Sequence, residues 1–154
     1  MMLHRVLCLS LLCAIFCLPS CSGRRSGPKI KKVPVVPVQG TIKVNGNPEA
    51  GVIVRCVPLG TFEPSELTNA LGGRTDDDGN FTLGTYEIAD GVPPSEYALI
   101  FVWPPETLKR QSRAEEEKSD RLKGKYSKVP NALVKIKVED GNPLILDEIE
   151  LTTK

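Results

Sequence analysis

The sequence predicts an all-β fold: a seven-stranded antiparallel sandwich over residues 38–154, carrying a charged, partly helical insertion. Three observations lead there. From Val38 onward the apolar residues recur at period two rather than 3.6. Clusters of Gly, Asn, Asp and Pro separate the alternating runs. The stretch from Val38 holds 117 residues, the size of one domain with its own core.

Val38, Gly40, Ile42 and Val44 alternate with Gln39, Thr41 and Lys43, the pattern of a half-buried strand. Asn45-Gly46-Asn47-Pro48 is a turn cluster, after which Val52, Val54 and Cys56 alternate with Ile53, Arg55 and Val57. Arg74–Asp76 and Phe81–Thr85 flank a tight Asp-Gly turn, a hairpin signal. Tyr97–Trp103 is the most apolar run. Val134, Ile136 and Val138 alternate with Lys135 and Lys137, and Leu144–Leu151 supplies the last strand. Residues 104–130 are the least sandwich-like: Pro104-Pro105 ends the central strand, and Lys109–Lys125 is dominated by charge. There Arg113, Glu116, Glu117, Asp120 and Arg121 form opposite-sign neighbours at helical spacing, each pair worth about 0.2–0.5 kcal/mol. The plainer reading is a solvated, partly helical crossover. The sharper one is a partner-binding arm, because long loops in compact domains are often functional.

The amino-terminal end has a different grammar. Met1–Arg5 carries one Arg, and Val6–Leu18 is a run of thirteen residues, all apolar except Ser10. As a helix it would span about 20 Å, short of a hydrocarbon core of about 30 Å. A basic start, a short apolar centre and small residues at its end describe a secretory signal, residues 1–20. Leu18-Pro19-Ser20-Cys21 resembles the lipobox of bacterial lipoproteins, with Leu three residues before the Cys and a small residue just before it. Pro19 stands where Ala, Ser or Thr is usual. The resemblance implies that the Cys21 thiol is alkylated with diacylglycerol, the chain is cut before it, and the new amino group is acylated. The alternative is an ordinary signal cut elsewhere. Ser22 rather than Asp after the Cys implies, by the sorting pattern of that family, transfer to the outer membrane, on its periplasmic face or at the cell surface.

Residues 21–37 then read as a lipidated Cys and a basic, Pro-stiffened tether. Arg24, Arg25, Lys29, Lys31 and Lys32 follow the anchor, where each gains about 1 kcal/mol beside an anionic membrane surface; the plain alternative is a solvated spacer. The sixteen residues from Ser22 to Pro37 reach about 50 Å if extended.

The domain carries a second resemblance. "VQGTIKVNGNPEAGVIVRCVP", "GRTDDDGNFTL" and "SEYALIFVWPP" are similar to the carboxypeptidase regulatory-like, or transthyretin-like, family. Its strand pair around a Gly-x-Pro-x-x-Gly-type turn corresponds to Gly46–Gly51, its Thr-Asp-x-x-Gly-x-Phe hairpin to Thr75–Phe81, and its Tyr-bearing strand begins at Tyr97. Small lipoproteins with one such domain show a charged insertion ending Asp-x-Leu-x-Gly-x-Tyr, matched by Asp120–Tyr126. The resemblance implies a Greek-key sandwich of the transthyretin (prealbumin) type. Its motifs are turn and core residues, which speak to fold and little to activity.

Composition removes much chemistry. Of five Cys, Cys8, Cys13 and Cys17 lie in the signal; with Cys21 lipidated, Cys56 has no partner for a disulfide or a Cys-based metal site. The only His is His4, so the mature chain lacks Ser-His, Cys-His and imidazole–metal chemistry. It likewise lacks the His residues of the transthyretin-like hydrolases that act on a urate derivative. Cys56, inward beside Val52 and Val54, reads as a buried inert thiol. Asp76-Asp77-Asp78-Gly79-Asn80 superficially suggests a calcium loop, but EF-hand ligands alternate and consecutive strand residues point to opposite faces. A turn stabilised by side chain-to-backbone hydrogen bonds explains the run. No catalytic residue, no metal ligand and no cofactor are therefore expected; Cys21, as a lipidation site, is the one functional residue named. Basic and acidic side chains balance (20 Lys+Arg, 19 Asp+Glu), which gives no electrostatic reason to bind nucleic acid.

Two classes of function remain: a lipid-anchored, non-catalytic accessory or interaction module with an envelope protein as partner, or a module that binds a glycan or other envelope polymer. Glycan binding uses exposed aromatic platforms. Phe81, Tyr97, Phe101 and Trp103 are claimed by strands, leaving Phe62, Tyr86 and Tyr126 as candidates.

Overall fold

A computed structural model describes residues 32–60, 71–105 and 112–154. These form two β-sheets enclosing one core, with one short helix. Nine strands are present among the described residues: β1 Val38–Val44, β2 Asn47–Pro48, β3 Ile53–Pro58, β4 Gly72–Arg74, β5 Asn80–Thr82, β6 Ser95–Val102, β7 Val134–Val138, β8 Leu144–Ile145 and β9 Ile149–Leu151. The expected count of seven is corrected in two places. β2 is a two-residue strand inside the expected turn, and the single expected strand Leu144–Leu151 is broken into β8 and β9.

The break has a register cause. Val38 faces Leu144, but Ile42 faces Ile149, so one extra residue lies between the two ladders. Leu144 and Leu146 pack on the core before it, and Ile149 and Leu151 after it. A single inserted residue moves every later side chain to the other face unless the strand bulges. β8 and β9 both run parallel to β1, so the first sheet is mixed, and the expectation of a wholly antiparallel sandwich is also corrected. β1 is central to it, with β5 and β2 antiparallel along one edge and β8 and β9 along the other. The second sheet, β4-β3-β6-β7, is antiparallel throughout.

The alternation sorts residues between core and exterior as the period-two pattern requires. Val38, Ile42, Val44, Phe81, Leu83, Ile149 and Leu151 from the first sheet meet Val52, Val54, Cys56, Tyr97, Leu99, Phe101, Ile136 and Val138 from the second. Each fully buried large side chain stabilises the fold by about 1.5–3 kcal/mol. The buried Tyr97 hydroxyl donates to the Pro93 carbonyl at 2.7 Å, so its polar tip is satisfied. β4 begins two residues before the expected Arg74, on Gly72 and Gly73. A Cβ at Gly72 would strike the Val54 carbonyl oxygen and one at Gly73 that of Thr82. Poor strand propensity is overridden there by close backbone approach.

Register also defines two ends. Pro37, Pro58–Gly60, Leu83–Ser95 and Glu139–Asn142 lie at one, where β1 and β6 begin and β3 and β7 end. Asn45–Gly51, Thr75–Gly79, Trp103 and Thr152–Lys154 lie at the other. The chain enters at the first end, and the packed unit begins before Val38: Val36 is buried and bridges Val92. The last residues assigned to the tether thus belong to the sandwich.

The described part of the insertion is ordered by its own sequence. Helix α1, Arg113–Lys118, starts with a capping box: the Glu115 N–H donates to the Ser112 hydroxyl, and the Ser112 N–H donates to the Glu115 carboxylate at 2.8 Å. Arg55 and Ile100 are register partners on the outer face of β3 and β6. The Arg55 guanidinium pairs with Glu116 and, at 3.4 Å, with Glu117, which also accepts from Arg113 Nε at 3.0 Å. The helix is therefore pinned over the sheet's outer face. Of the charges expected to pair along a helix, Arg113 and Glu117 do so; Asp120 and Arg121 are used otherwise. No helix of the described residues is long and apolar enough to cross a membrane.

Candidate functional site

Cys21 lies outside the described residues, as do the signal and most of the tether. The candidate Phe62 lies outside them as well; the other candidate residues of the domain are placed by the structure.

The acidic turn is built by Asp76 alone. Its Oδ1 accepts the N–H groups of Asp78 (3.0 Å) and Asn80 (2.8 Å). Gly79 takes φ +76°, where a Cβ would strike the Ile42 carbonyl oxygen. Asp77 and Asp78 face solvent. Beside them the buried Thr75 hydroxyl donates to the Glu49 carbonyl (2.7 Å) and accepts from the Val52 N–H (2.9 Å). Thr75 thus latches the Gly46–Gly51 turn to the hairpin, and the Thr-Asp-x-x-Gly-x-Phe spacing reads as a mechanical joint.

Asp120 does similar work for the segment that returns from the helix. It is 8% exposed. Oδ1 accepts from the N–H groups of Trp103 (2.8 Å) and Leu122 (3.0 Å), and Oδ2 from that of Gly124 (2.9 Å). Charge-assisted acceptance of several N–H groups is among the strongest local restraints available to a loop. Leu122 is driven into the core, and the Arg121 guanidinium lies 3.3 Å from the centre of the Trp103 ring. Trp103 Nε1 donates to the Ala50 carbonyl at 3.0 Å. Tyr126 is 8% exposed, and its hydroxyl accepts from the Thr152 N–H at 3.1 Å. The expectation of Tyr126 as an exposed aromatic platform is corrected: it is a packing residue.

Cys56 is free and 5% exposed, opposite Leu99. Burial pushes its thiol up to about 12, the direction of an inert cysteine. Burial likewise raises the neighbouring Tyr97 hydroxyl.

An open groove of about 710 Å³ lies beside the β4–β5 hairpin. Gly72, Arg74, Asp76, Asn80, Tyr86 and Ile88 are among its lining. Its rim is the loop from Gly84 to Gly91, and a carboxylate again shapes it. Asp90 accepts the N–H groups of Thr85 (2.7 Å), Tyr86 (3.1 Å) and Glu87 (3.1 Å), while the Thr85 hydroxyl donates to the Gly91 carbonyl. Tyr86 is half-buried. Its hydroxyl accepts the Val33 N–H at 2.7 Å, and the Lys32 ammonium lies 5.3 Å over its ring. Of the aromatic candidates, then, Tyr86 alone reaches a cleft, with one ring face occupied; Phe62 lies outside the described residues.

Sequence reading missed two features. The Arg55–Glu116–Glu117 cluster joins residues some sixty positions apart, which no local spacing announces. The Thr85–Asp90 loop did carry a signal, an Asp-Gly pair, Asp90-Gly91, closing a short run that includes Ile88. Among the described residues, no three His, Cys, Asp or Glu side chains converge as metal ligands would. No protein-family model matches the chain, and the search of curated proteins found no match.

Proposed function

We propose that the mature chain is a lipid-anchored, non-catalytic interaction module of the bacterial cell envelope, held through Cys21 to the outer membrane and presenting a transthyretin-like Greek-key sandwich. The observation that carries the reading is the order of the amino-terminal residues: a basic start, thirteen residues too few to span a bilayer, then Leu18-Pro19-Ser20-Cys21. What supports the non-catalytic part is how the domain spends its reactive groups. Asp76, Asp90 and Asp120 each accept two or three backbone N–H groups, and Cys56 is a buried neutral thiol. Groups so committed shape loops.

The test is mass spectrometry of the mature amino terminus from membranes. A triacylated or diacylated Cys21 is expected, each buried methylene contributing about 0.8 kcal/mol to anchoring. An unmodified amine at another residue refutes the anchor. A second reading, binding of a glycan or envelope polymer, draws on Tyr86 lining a groove with Arg74 and Asn80. Retention of the protein by peptidoglycan, lost on Tyr86→Ala, would favour it over a protein partner.

A further inference from the structure

The two ends of the sandwich differ in polarity. Four large apolar side chains are exposed among the described residues: Leu59, Ile88, Leu133 and Ile145. Leu59 donates its N–H to the Glu96 carbonyl, at the start of β6. Ile145 faces Gln39, one residue into β1. Ile88 tips the Gly84–Gly91 loop and is 100% exposed. Three of the four thus gather at the end where the chain enters; Leu133 lies midway, beside the Val134–Leu99 pair. The opposite end presents Asn45, Asn47, Asp77, Asp78, Lys123 and Lys154.

Ile88 is held out rather than left loose. The three N–H groups gathered by Asp90 fix the backbone on its amino-terminal side, and the bond from Thr85 to Gly91 closes the loop. The tether ends on this same loop, through Val33 on the Tyr86 hydroxyl, Lys32 over the Tyr86 ring, and Val36 on Val92. Only ten residues separate Cys21 from Lys32, a reach of about 35 Å at full extension. Of the carboxylates at this end, Glu87 lies 3.5 Å from Lys32, Glu139 lies 2.8 Å from Lys137, and Asp90 faces inward onto its N–H groups, while Glu96 and Asp140 are exposed.

We propose that the tether-entry end is a second membrane contact: Ile88 inserts into the bilayer interface, flanked by Tyr86 and Lys32, and fixes the domain's orientation on the lipid surface. The proposal rests on the lipid-anchor reading. An anchored domain meets the bilayer at high effective concentration, so a small apolar tip that would not bind vesicles alone is enough to orient it. The occupant is lipid rather than a protein groove because the tether confines this end to the membrane's neighbourhood.

The experiment uses the full lipidated protein in vesicles of phosphatidylethanolamine and phosphatidylglycerol carrying brominated acyl chains. Ile88→Trp is compared with Asp77→Trp at the opposite end; Trp103 contributes equally to both. The Ile88→Trp emission should shift to the blue and be quenched roughly twofold more than that of Asp77→Trp, as expected for a side chain seated among acyl chains. Equal quenching overturns the inference. A variant-free readout is photolabelling of the wild-type protein by a diazirine-bearing lipid. Adducts should localise to residues 84–91 and spare residues 75–80, and the reverse or an even distribution overturns it. Mass spectrometry of the same preparation separates the two failures. A lipidated Cys21 with an unquenched tip sinks only this inference, and an unlipidated amino terminus sinks the anchor and the inference together.

Discussion

Replacing Asp120 tests whether the Asp-x-Leu-x-Gly-x-Tyr segment is a joint or a reactive site. Asp120→Ala removes the acceptor of three backbone N–H groups, on Trp103, Leu122 and Gly124. Bonds to a charged acceptor contribute about 1.5–3 kcal/mol each, and buried donors left unpaired cost about 1–3 kcal/mol. Two of the three are buried, and the Gly124 bond is only partly so, so water recovers part of the third. A loss of about 3–4 kcal/mol follows, less than the simple sum because the bonds share one carboxylate. Asp120→Asn is the finer instrument. Its amide keeps one acceptor for Trp103 and Leu122 but turns a donor toward the Gly124 N–H, so about half that loss is expected. The assay is urea unfolding followed by the fluorescence of Trp103, the single Trp of the chain. Trp103 itself donates to Asp120, so a shift in its native emission should accompany the lower midpoint. A loss under about 1 kcal/mol for Asp120→Ala would refute the joint and return Asp120 as a candidate for chemistry.

Three other outcomes are expected. Cys56 should resist thiol reagents until denaturant is added, and Cys56→Ala should cost about 1–2 kcal/mol through a small cavity, with Cys56→Val nearer neutral. Its folded-state pKa is raised to about 12, so its contribution is full at neutral pH and is lost as pH climbs from the ordinary thiol range toward that value. Urea midpoints of wild type and Cys56→Val should converge or cross over that alkaline window. Glu115 is held below the ordinary carboxylate range by the Ser112 N–H and then the Ser112 hydroxyl. Its support for α1 is therefore complete above the ordinary Glu range and lost as pH falls through the lower, folded-state value, which hydrogen exchange of Arg113–Ser119 amides at stepped acidic pH would read. Arg55→Met should free α1 from the sheet at a cost of about 1–2 kcal/mol, discounted because the Arg55 and Glu116 side chains remain 17% and 18% exposed. Unchanged exchange in α1 after that substitution would mean the helix is held by something else.

Much of the sandwich was legible because period two is written residue by residue. Val38, Ile42 and Val44, or Val52, Val54 and Cys56, name their own inward face before any partner is known. Turn residues were equally local: Asp76 and Gly79 act within five positions of one another. By itself the sequence also determined the absence of His from the chain after His4, the balance of charge and the grammar of the amino terminus. Other features were decided only when distant segments met. Whether the last strand runs parallel to β1 depends on which edge is free, and its break at one extra residue depends on β1's register. Gly72 and Gly73 became a strand because two carbonyl oxygens approach too closely for any side chain. Tyr126 and Asp120 look like surface residues in a charged segment, yet the return of that segment across Trp103 buries both. Arg55 finds Glu116 across sixty-one positions, and the tether finds Tyr86 across fifty-three. Alternation and turn chemistry are properties of neighbours along the chain; edges, registers and long-range pairs are properties of the packed whole, and they exist only once the core has closed.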